Sequence, residues 1–413
     1  MVARDREIVV GLDVGTTKIA AVISRISSSG EVNIIGVGTS PSRGLKNGTV
    51  VNMDETVISI QKAMEEAERI AGVQVRNVVT GISGEHIRTI DANGVIAVSS
   101  ESGEISKEDV ERAMENAKEI TLTTGRLLHE IPKEFIVDHQ PGIKNPVGMF
   151  GKRLELRANL IVGDVNAVNN IVRCVERAGY GVSDVVLQSL ASSYSVLEPD
   201  EKDLGVILMD IGGGTTDIAL FLNGTLNRNF IVPLGGENIT SDLAKGLKTS
   251  REVAEKIKVK YGAASMEFVE DTDILVPVPG IAGREQKNVS IDIVVNIISM
   301  RLQEILEFAY MEIKDVVPFE LLTAGLVITG GTAKLKGIGK SAEEVFGLPV
   351  KMGIPEKGLY GLKDIVHDPA FATAVGLILY SLEHKERQQL ISSGKRGLEN
   401  LFKRMKSWFE EFF

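Results

Sequence analysis

Two stretches of the chain carry an aspartate, a glycine turn and paired threonines at matching spacing. In the first, Ile8 to Leu12 leads to Asp13, then Gly15, Thr16, Thr17 and Lys18; in the second, Val206 to Met209 leads to Asp210, then Gly212, Gly213, Gly214, Thr215 and Thr216. Apolar residues resume after each, so both read as β-hairpins with glycines and hydroxyls at the tip. Glycine lets backbone N–H groups approach phosphate oxygens with no Cβ in the way, and threonine adds hydroxyl donors. A carboxylate beside a triphosphate is repelled unless a cation lies between them, so Asp13 and Asp210 predict magnesium held through its water shell. Lys18 is placed to neutralise phosphate directly. One such segment alone is equally a glycine-rich hairpin, but two copies half a chain apart point to a shared ligand. The chain has no G-x-x-x-x-G-K-[ST] signature, which sets aside a P-loop fold.

A third segment, Leu326 to Leu335, is again a strand ending in paired glycines, Gly330 and Gly331, followed by Lys334 and the start of a helix. Paired glycines let a flat adenine and its ribose lie against the backbone. In order along the chain, the three segments resemble the phosphate 1, phosphate 2 and adenosine motifs of the superfamily of actin, sugar kinases and heat-shock chaperone ATPases. Its two connecting helices are matched by Val186 to Ser195 and Pro369 to Leu377, both rich in small residues that permit close crossing at a hinge. In actin-like proteins a Gln or Glu on the first of these orients the attacking water, and Gln188 falls there. An amide takes no proton, so the resemblance implies slow hydrolysis at best; alternatively, Gln188 only hydrogen-bonds within the hinge.

The expected fold is therefore α/β, an actin-like (ribonuclease H-like) duplicated two-domain fold, with a small α+β insert in the first domain. Elements for that insert lie between Gly81 and Asp164: a capped helix from Ser106, a strand at Phe135 to Val137, a Gly/Pro loop from Pro141 to Gly151, and alternating Leu154, Leu156, Ala158 and Leu160. Composition narrows the classes. A net charge of −10, with Lys and Arg scattered, disfavours nucleic acid as a partner. The single cysteine, Cys174, excludes an internal disulfide and reads as core packing, and the five dispersed histidines do not suggest zinc. The charged N-terminal residues offer no apolar signal region and no run reaches the roughly twenty apolar residues of a spanning helix, so a cytoplasmic protein with at most peripheral membrane contact is expected.

The insert, the stretches Leu187 to Leu197, Val206 to Ala219 and Leu326 to Lys334, and above all Leu190 to Leu197 resemble the bacterial cell-division family FtsA over nearly the whole chain. The tail points the same way. Leu398, Leu401, Phe402, Met405, Trp408, Phe409, Phe412 and Phe413 share one face of a helix, with Lys403, Arg404 and Lys406 opposite. Such a helix suits the plane of a membrane interface; the alternative is docking on the chain's own core. The expected organisation is 1–82, 165–204 and 366–383 as the first actin-like subdomain (1A) and 83–164 as the insert (1C). Residues 205–236 and 320–365 form a second subdomain (2A), 237–319 a third (2B), 384–397 a flexible linker, and 398–413 the membrane helix.

The resemblance implies a protein that binds ATP and Mg2+, forms protofilaments with itself, and tethers the tail of the tubulin-like FtsZ. It further implies recruitment of later division proteins and a peripheral location on the cytoplasmic face of the cell membrane at the septum, against an anionic or mixed lipid surface. Family positions around the ribose fall on Gly235, Gly236, Glu237, Glu255 and Lys258, the last two of which are equally read as a solvated helix face. The FtsZ tail is expected on the helix Ile291 to Val317, where Arg301 is either part of the docking surface or a plain surface charge. Two rivals share the fold: a pilus-assembly ATPase, set apart by the aromatic tail, and a metabolite kinase or phosphatase, which needs a general-base carboxylate outside the hairpins.

Overall fold

The computed structural model describes residues 7–121, 125–280 and 285–393; the amphipathic segment 398–413 and the end of the expected linker lie outside them. The chain opens with an antiparallel meander of β1 (Ile8–Val14), β2 (Lys18–Ile26) and β3 (Val32–Pro41), then a short hairpin of β4 (Leu45–Lys46) and β5 (Thr49–Val50). Helix α1 (Met53–Ala71) leads to β6 (Asn77–Ile82). Asn52 starts α1 by accepting the Glu55 N–H, and Gly72, at φ 64°, ends it by donating to the Glu68 carbonyl. Val57, Ile60, Met64 and Ala67 recur at helical spacing and are buried.

The insert follows as β7 (Ile87–Ala97), α2 (Lys107–Thr121), β8 (Arg126–Val137), β9 (Gln140–Ile143) and β10 (Arg153–Gly163), with sheet order β7-β10-β8-β9. Ser106 and Asp109 cap α2 reciprocally: the Asp109 N–H donates to Ser106 Oγ at 3.1 Å and the Ser106 N–H donates to Asp109 Oδ2 at 2.9 Å. The strand expected at Phe135 to Val137 is the end of a twelve-residue strand. Pro132 masks its first half in the sequence and is accommodated at a register shift opposite Ala158. The loop expected from Pro141 begins inside β9.

The chain returns to the first lobe through α3 (Val165–Arg177), β11 (Gly181–Leu187), α4 (Gln188–Val196) and α5 (Pro199–Leu204). The second lobe repeats the plan with β12 (Val206–Ile211), β13 (Thr216–Leu222), β14 (Thr225–Val232), α6 (Gly236–Leu247) and α7 (Arg251–Tyr261). It continues with β15 (Leu275–Val278), β16 (Lys287–Ser290), α8 (Ile291–Ile313), β17 (Gly325–Thr329), α9 (Ile338–Phe346) and β18 (Val350–Met352). Finally β19 (Leu359–Gly361), α10 (Lys363–Val366) and α11 (Ala372–Ser393) rejoin the first lobe. The duplication is explicit in the sheets: β3-β2-β1-β6-β11 in one lobe and β14-β13-β12-β17-β18 in the other are the same meander extended by two parallel strands.

Helix ends differ from expectation in three places, the first being α4, which begins at Gln188 because Val186 and Leu187 complete β11. α8 stops at Ile313 rather than Val317, because Val316 and Val317 are β-branched and Pro318 disfavours helix in the residue before it. α11 runs on to Ser393, ten residues into the expected linker at 384–397. His384 to Gln389 are mostly good helix formers extending a helix already nucleated by its packed N-terminal half, so propagation costs little.

Candidate nucleotide site between the lobes

Both hairpins form as expected, and α4 and α11 cross between the two sheets. A Cβ on Gly376 of α11 would lie 1.9 Å from the Ala191 carbonyl oxygen of α4, so only glycine permits this crossing. The hairpin tips meet: a Cβ on Gly213 would lie 2.3 Å from Thr17 Oγ1, and one on Gly214 would lie 2.6 Å from Thr16 Oγ1. Gly15 N–H donates to the Lys18 carbonyl and Gly212 N–H to the Thr215 carbonyl, which closes the two tips in the same way.

Asp13 and Asp210 lie one residue before the ends of their strands, Asp210 buried and Asp13 half-buried. Burial pushes Asp13 up to about 7, with Lys18 pulling it down and Asp210 adding to the rise. Asp210 is also raised by burial, against hydrogen bonds from Ser192 Oγ at 2.7 Å and Thr373 Oγ1 at 3.1 Å. Each connecting helix therefore contributes one hydroxyl to the same carboxylate. Gln188, the first residue of α4, donates from Nε2 to Asp13 Oδ1 at 3.1 Å, so its amide both binds within the hinge and sits at the hairpin aspartate. Lys18 is lowered by burial; its ammonium donates to the Ala370 carbonyl and lies 4.2 Å from the centre of the Phe371 ring.

The remaining candidates gather around the second tip. Gly236 N–H and Glu237 N–H donate to the carbonyls of Gly212 and Gly213 at 3.0 and 2.7 Å, and Gly235 packs against both. Thr332 of the third segment donates to the Gly212 carbonyl at 2.8 Å. Gly330, at φ 91°, lies directly under Asp210, where a Cβ would stand 2.4 Å from Oδ1. Lys258 is no solvated surface lysine: it donates to the Gly236 carbonyl at 3.0 Å, to Thr240 Oγ1 at 2.8 Å, and pairs with Glu255 at 2.7 Å. Others turn elsewhere. The Thr216 hydroxyl donates to the Leu234 carbonyl, Glu237 pairs with Arg251, and exposed Lys334 pairs with Asp368. Gly331 stands beside Ala370 with space for a side chain.

Ser83, Asp217, Ser192 and Thr373 are the residues that sequence reasoning missed. Asp217 is buried and pushed up to about 7 by that burial, despite accepting from Ser83 and from Thr215 Oγ1 at 2.9 Å. Its signal was available, since in an antiparallel hairpin the residue equally far beyond the turn faces Asp210, and the register pairs Asp210 with Asp217. The first hairpin has Ala20 opposite Asp13, so the second lobe holds two carboxylates and the first holds one. The serine and threonine partners have no sequence signal because they come from other elements.

Lobes of matching sheet order, each offering an aspartate-bearing hairpin to the other, define an actin-like protein. Solved structures share this fold. The PilM-PilN type IV pilus biogenesis complex aligns with a TM-score of 0.65 at 17% identity, covering 91% of this chain and 99% of that one. MreB5 of Spiroplasma citri bound to ADP aligns with a TM-score of 0.55 at 14% identity, covering 93% and 98%. The chain belongs to the family of cell division protein FtsA. Residues 207–376 match the family described as "Cell division protein FtsA", and residues 84–162 match the "SHS2 domain inserted in FTSA". Cell division protein FtsA of Neisseria meningitidis serogroup B (strain ATCC BAA-335 / MC58) is 40% identical over 97% of this chain and 98% of its own length. That of Bacillus subtilis (strain 168) is 41% identical over 93% and 86%. This is an actin-like cell-division protein.

Proposed function

We propose that the cleft binds ATP with Mg2+ and that the nucleotide fixes the angle between the lobes, which controls lengthwise self-association. The observation that carries this reading is the meeting of both hairpin tips beside half-buried Asp13 and buried Asp210, with Lys18 close to both. Carboxylates raised by desolvation, Asp13 further by Asp210, would hold a divalent cation, which would supply the missing positive charge beside the phosphates. Backbone N–H groups of Thr16, Thr17, Gly213, Gly214 and Thr215 suit the phosphates, those of Gly15 and Gly212 being used to close the tips. Gly235, Gly236, Gly330, Gly331, Glu237, Glu255, Lys258 and Lys334 surround the nucleoside in this reading, with Gln188 orienting water for slow hydrolysis. Isothermal titration with ATP and Mg2+ tests it: Asp210→Asn is expected to weaken binding at least about tenfold, the scale of one lost charged contact. Equal heats for the two proteins would refute the site.

The same reading assigns residues 398–413 to membrane binding at the cytoplasmic face, at the septum, and α8 to the FtsZ tail. Among the described residues no helix is long and apolar enough to cross a membrane. On α8, Arg301 is held by Asp242 at 2.6 Å and by Glu304, beside exposed Ile293, Met300, Phe308 and Met311. A cation edging an apolar stripe suits an acidic, partly apolar peptide, and later division proteins join through the same assembly. Pelleting with liposomes and ATP, viewed by electron microscopy, tests foot and filament together. Deleting 398–413 is expected to abolish co-sedimentation, and Arg301→Glu to abolish binding of an FtsZ tail peptide; unchanged results would remove those assignments.

A further inference from the structure

The insert is covalently part of the first lobe, yet it rests on the second. Asn159 of β10 donates to the Leu226 carbonyl of β14 at 3.0 Å and also to that of Asn227; Thr89 of β7 bonds Asn229; and Arg228 pairs with Asp91. Asn159 and Asn229 are buried, and Ile161 of β10 shares one apolar cluster with Leu226 of β14, so the seam is a packed contact edged by partly exposed ion pairs.

Beside the seam lies an open cleft of about 630 Å3 between β7, β8, β14 and the end of α8. Three cations line it: Arg88, Lys133 and Arg228, with Asn227 and Phe230 on the β14 side. Lys133, at 2.9 Å, and Arg228 share one carboxylate, Asp91. The exposed Arg88 guanidinium makes no hydrogen bond or ion pair among the described residues, although the chain as a whole carries a charge of −10. The one acidic residue in the lining is exposed Asp315, at the end of α8. A neighbouring cavity of about 570 Å3 shares Arg88 but is flanked by Glu85 and Asp164, which oppose an anion there.

We propose that the seam cavity binds a compact phosphate-bearing anion, which clamps the insert to the second lobe. The volume is that of a small-molecule site at a domain junction. Planar guanidiniums from two different lobes recognise phosphate oxygens with charge-assisted, bidentate hydrogen bonds, and Arg88 has its donors free to make them. An anion bridging Arg88 of the first lobe to Arg228 of the second adds a charge-assisted link across the seam. Phosphate of this kind comes either as a free inorganic or metabolite anion or as a lipid headgroup.

The test is isothermal titration of the full chain, with AMPPNP and Mg2+ present at saturation so that the cleft between the hairpins is occupied. The probes are inorganic phosphate and, separately, dihexanoyl phosphatidylglycerol below its micellar concentration. Binding of either is expected, weakened about tenfold or more by Arg88→Ala and tightened severalfold by Asp315→Asn, which removes a like charge from the lining. The gain in Asp315→Asn cannot come from misfolding. Heat with inorganic phosphate alone assigns a free anion, and heat with the phosphatidylglycerol assigns a headgroup. No heat with either, or affinities indifferent to both substitutions, overturns the proposal, and AMPPNP binding measured in the same protein keeps that failure distinct from failure of the nucleotide site.

Discussion

At the scale of residues, the site depends on atoms that have no room to move. Gly330 combines a left-handed backbone at φ 91° with a Cβ position 2.4 Å from Asp210 Oδ1 and 2.6 Å from the Ile211 carbonyl. Gly330→Ala is therefore expected to destabilise the protein by about 1–3 kcal/mol and to weaken adenylate binding, because both strain and displacement of Asp210 fall at one point. Gly339 in α9 is the control: its Cβ would meet only Val350 at 3.7 Å, so Gly339→Ala is expected to be neutral or to stabilise by about 0.5–1 kcal/mol. Urea denaturation of the two variants, with titration of ATP, separates the cases; similar curves for both would contradict the geometry. At this scale the sequence was most legible where chemistry and turn coincide, as at Asp13 and Asp210. It was least legible where a side chain is used structurally, as when Thr216 donates to the Leu234 carbonyl.

At the scale of elements, three parts of the chain meet at one buried histidine. His129 of β8 accepts the Leu187 N–H at Nε2, 2.9 Å away, so its proton sits on Nδ1 and donates toward the Tyr380 oxygen at 3.3 Å. The insert, the residue before Gln188 and α11 are thereby joined, and Tyr380 stacks on His384 one turn further along α11. Burial, with the neighbouring His384, lowers His129 from 6.5 to about 3. Its folded value is depressed, so the unfolded chain takes up a proton that the folded one refuses. The stability it contributes is complete above pH 6.5 and is lost as pH falls toward about 3. The expected outcome is that the advantage of the wild type over His129→Asn in urea midpoint shrinks between pH 7.5 and pH 5, on the order of one to two kcal/mol. A constant difference would show that the ring is not held neutral. The sequence carried no sign of this junction, because an isolated histidine in a strand reads the same whether buried or exposed.

At the scale of the whole molecule, the lobes are joined across the cleft by a side-chain bond as well as by helices. Ser83, at the root of the insert, donates to Asp217 on β13 of the opposite lobe. Ser83→Ala leaves Asp217 buried with Thr215 as its remaining donor, a loss of about 1–3 kcal/mol borne mainly by the closed form. Small-angle scattering is expected to show a larger radius for this variant without nucleotide, restored by AMPPNP and Mg2+; an unchanged radius would assign the bond no part in lobe closure. The sequence by itself determined the two hairpins, their duplication, the third glycine turn and the insert's helix cap, since each is written in local spacing and residue type. Only the tertiary structure decided that Ser192 and Thr373 grip Asp210, that Gln188 reaches Asp13, that Lys258 lies under Gly236 and that the insert leans on the second lobe. Those partners are mostly far apart in the chain, and the close packing of helices and sheets, rather than any local pattern, brings them within a hydrogen bond of each other.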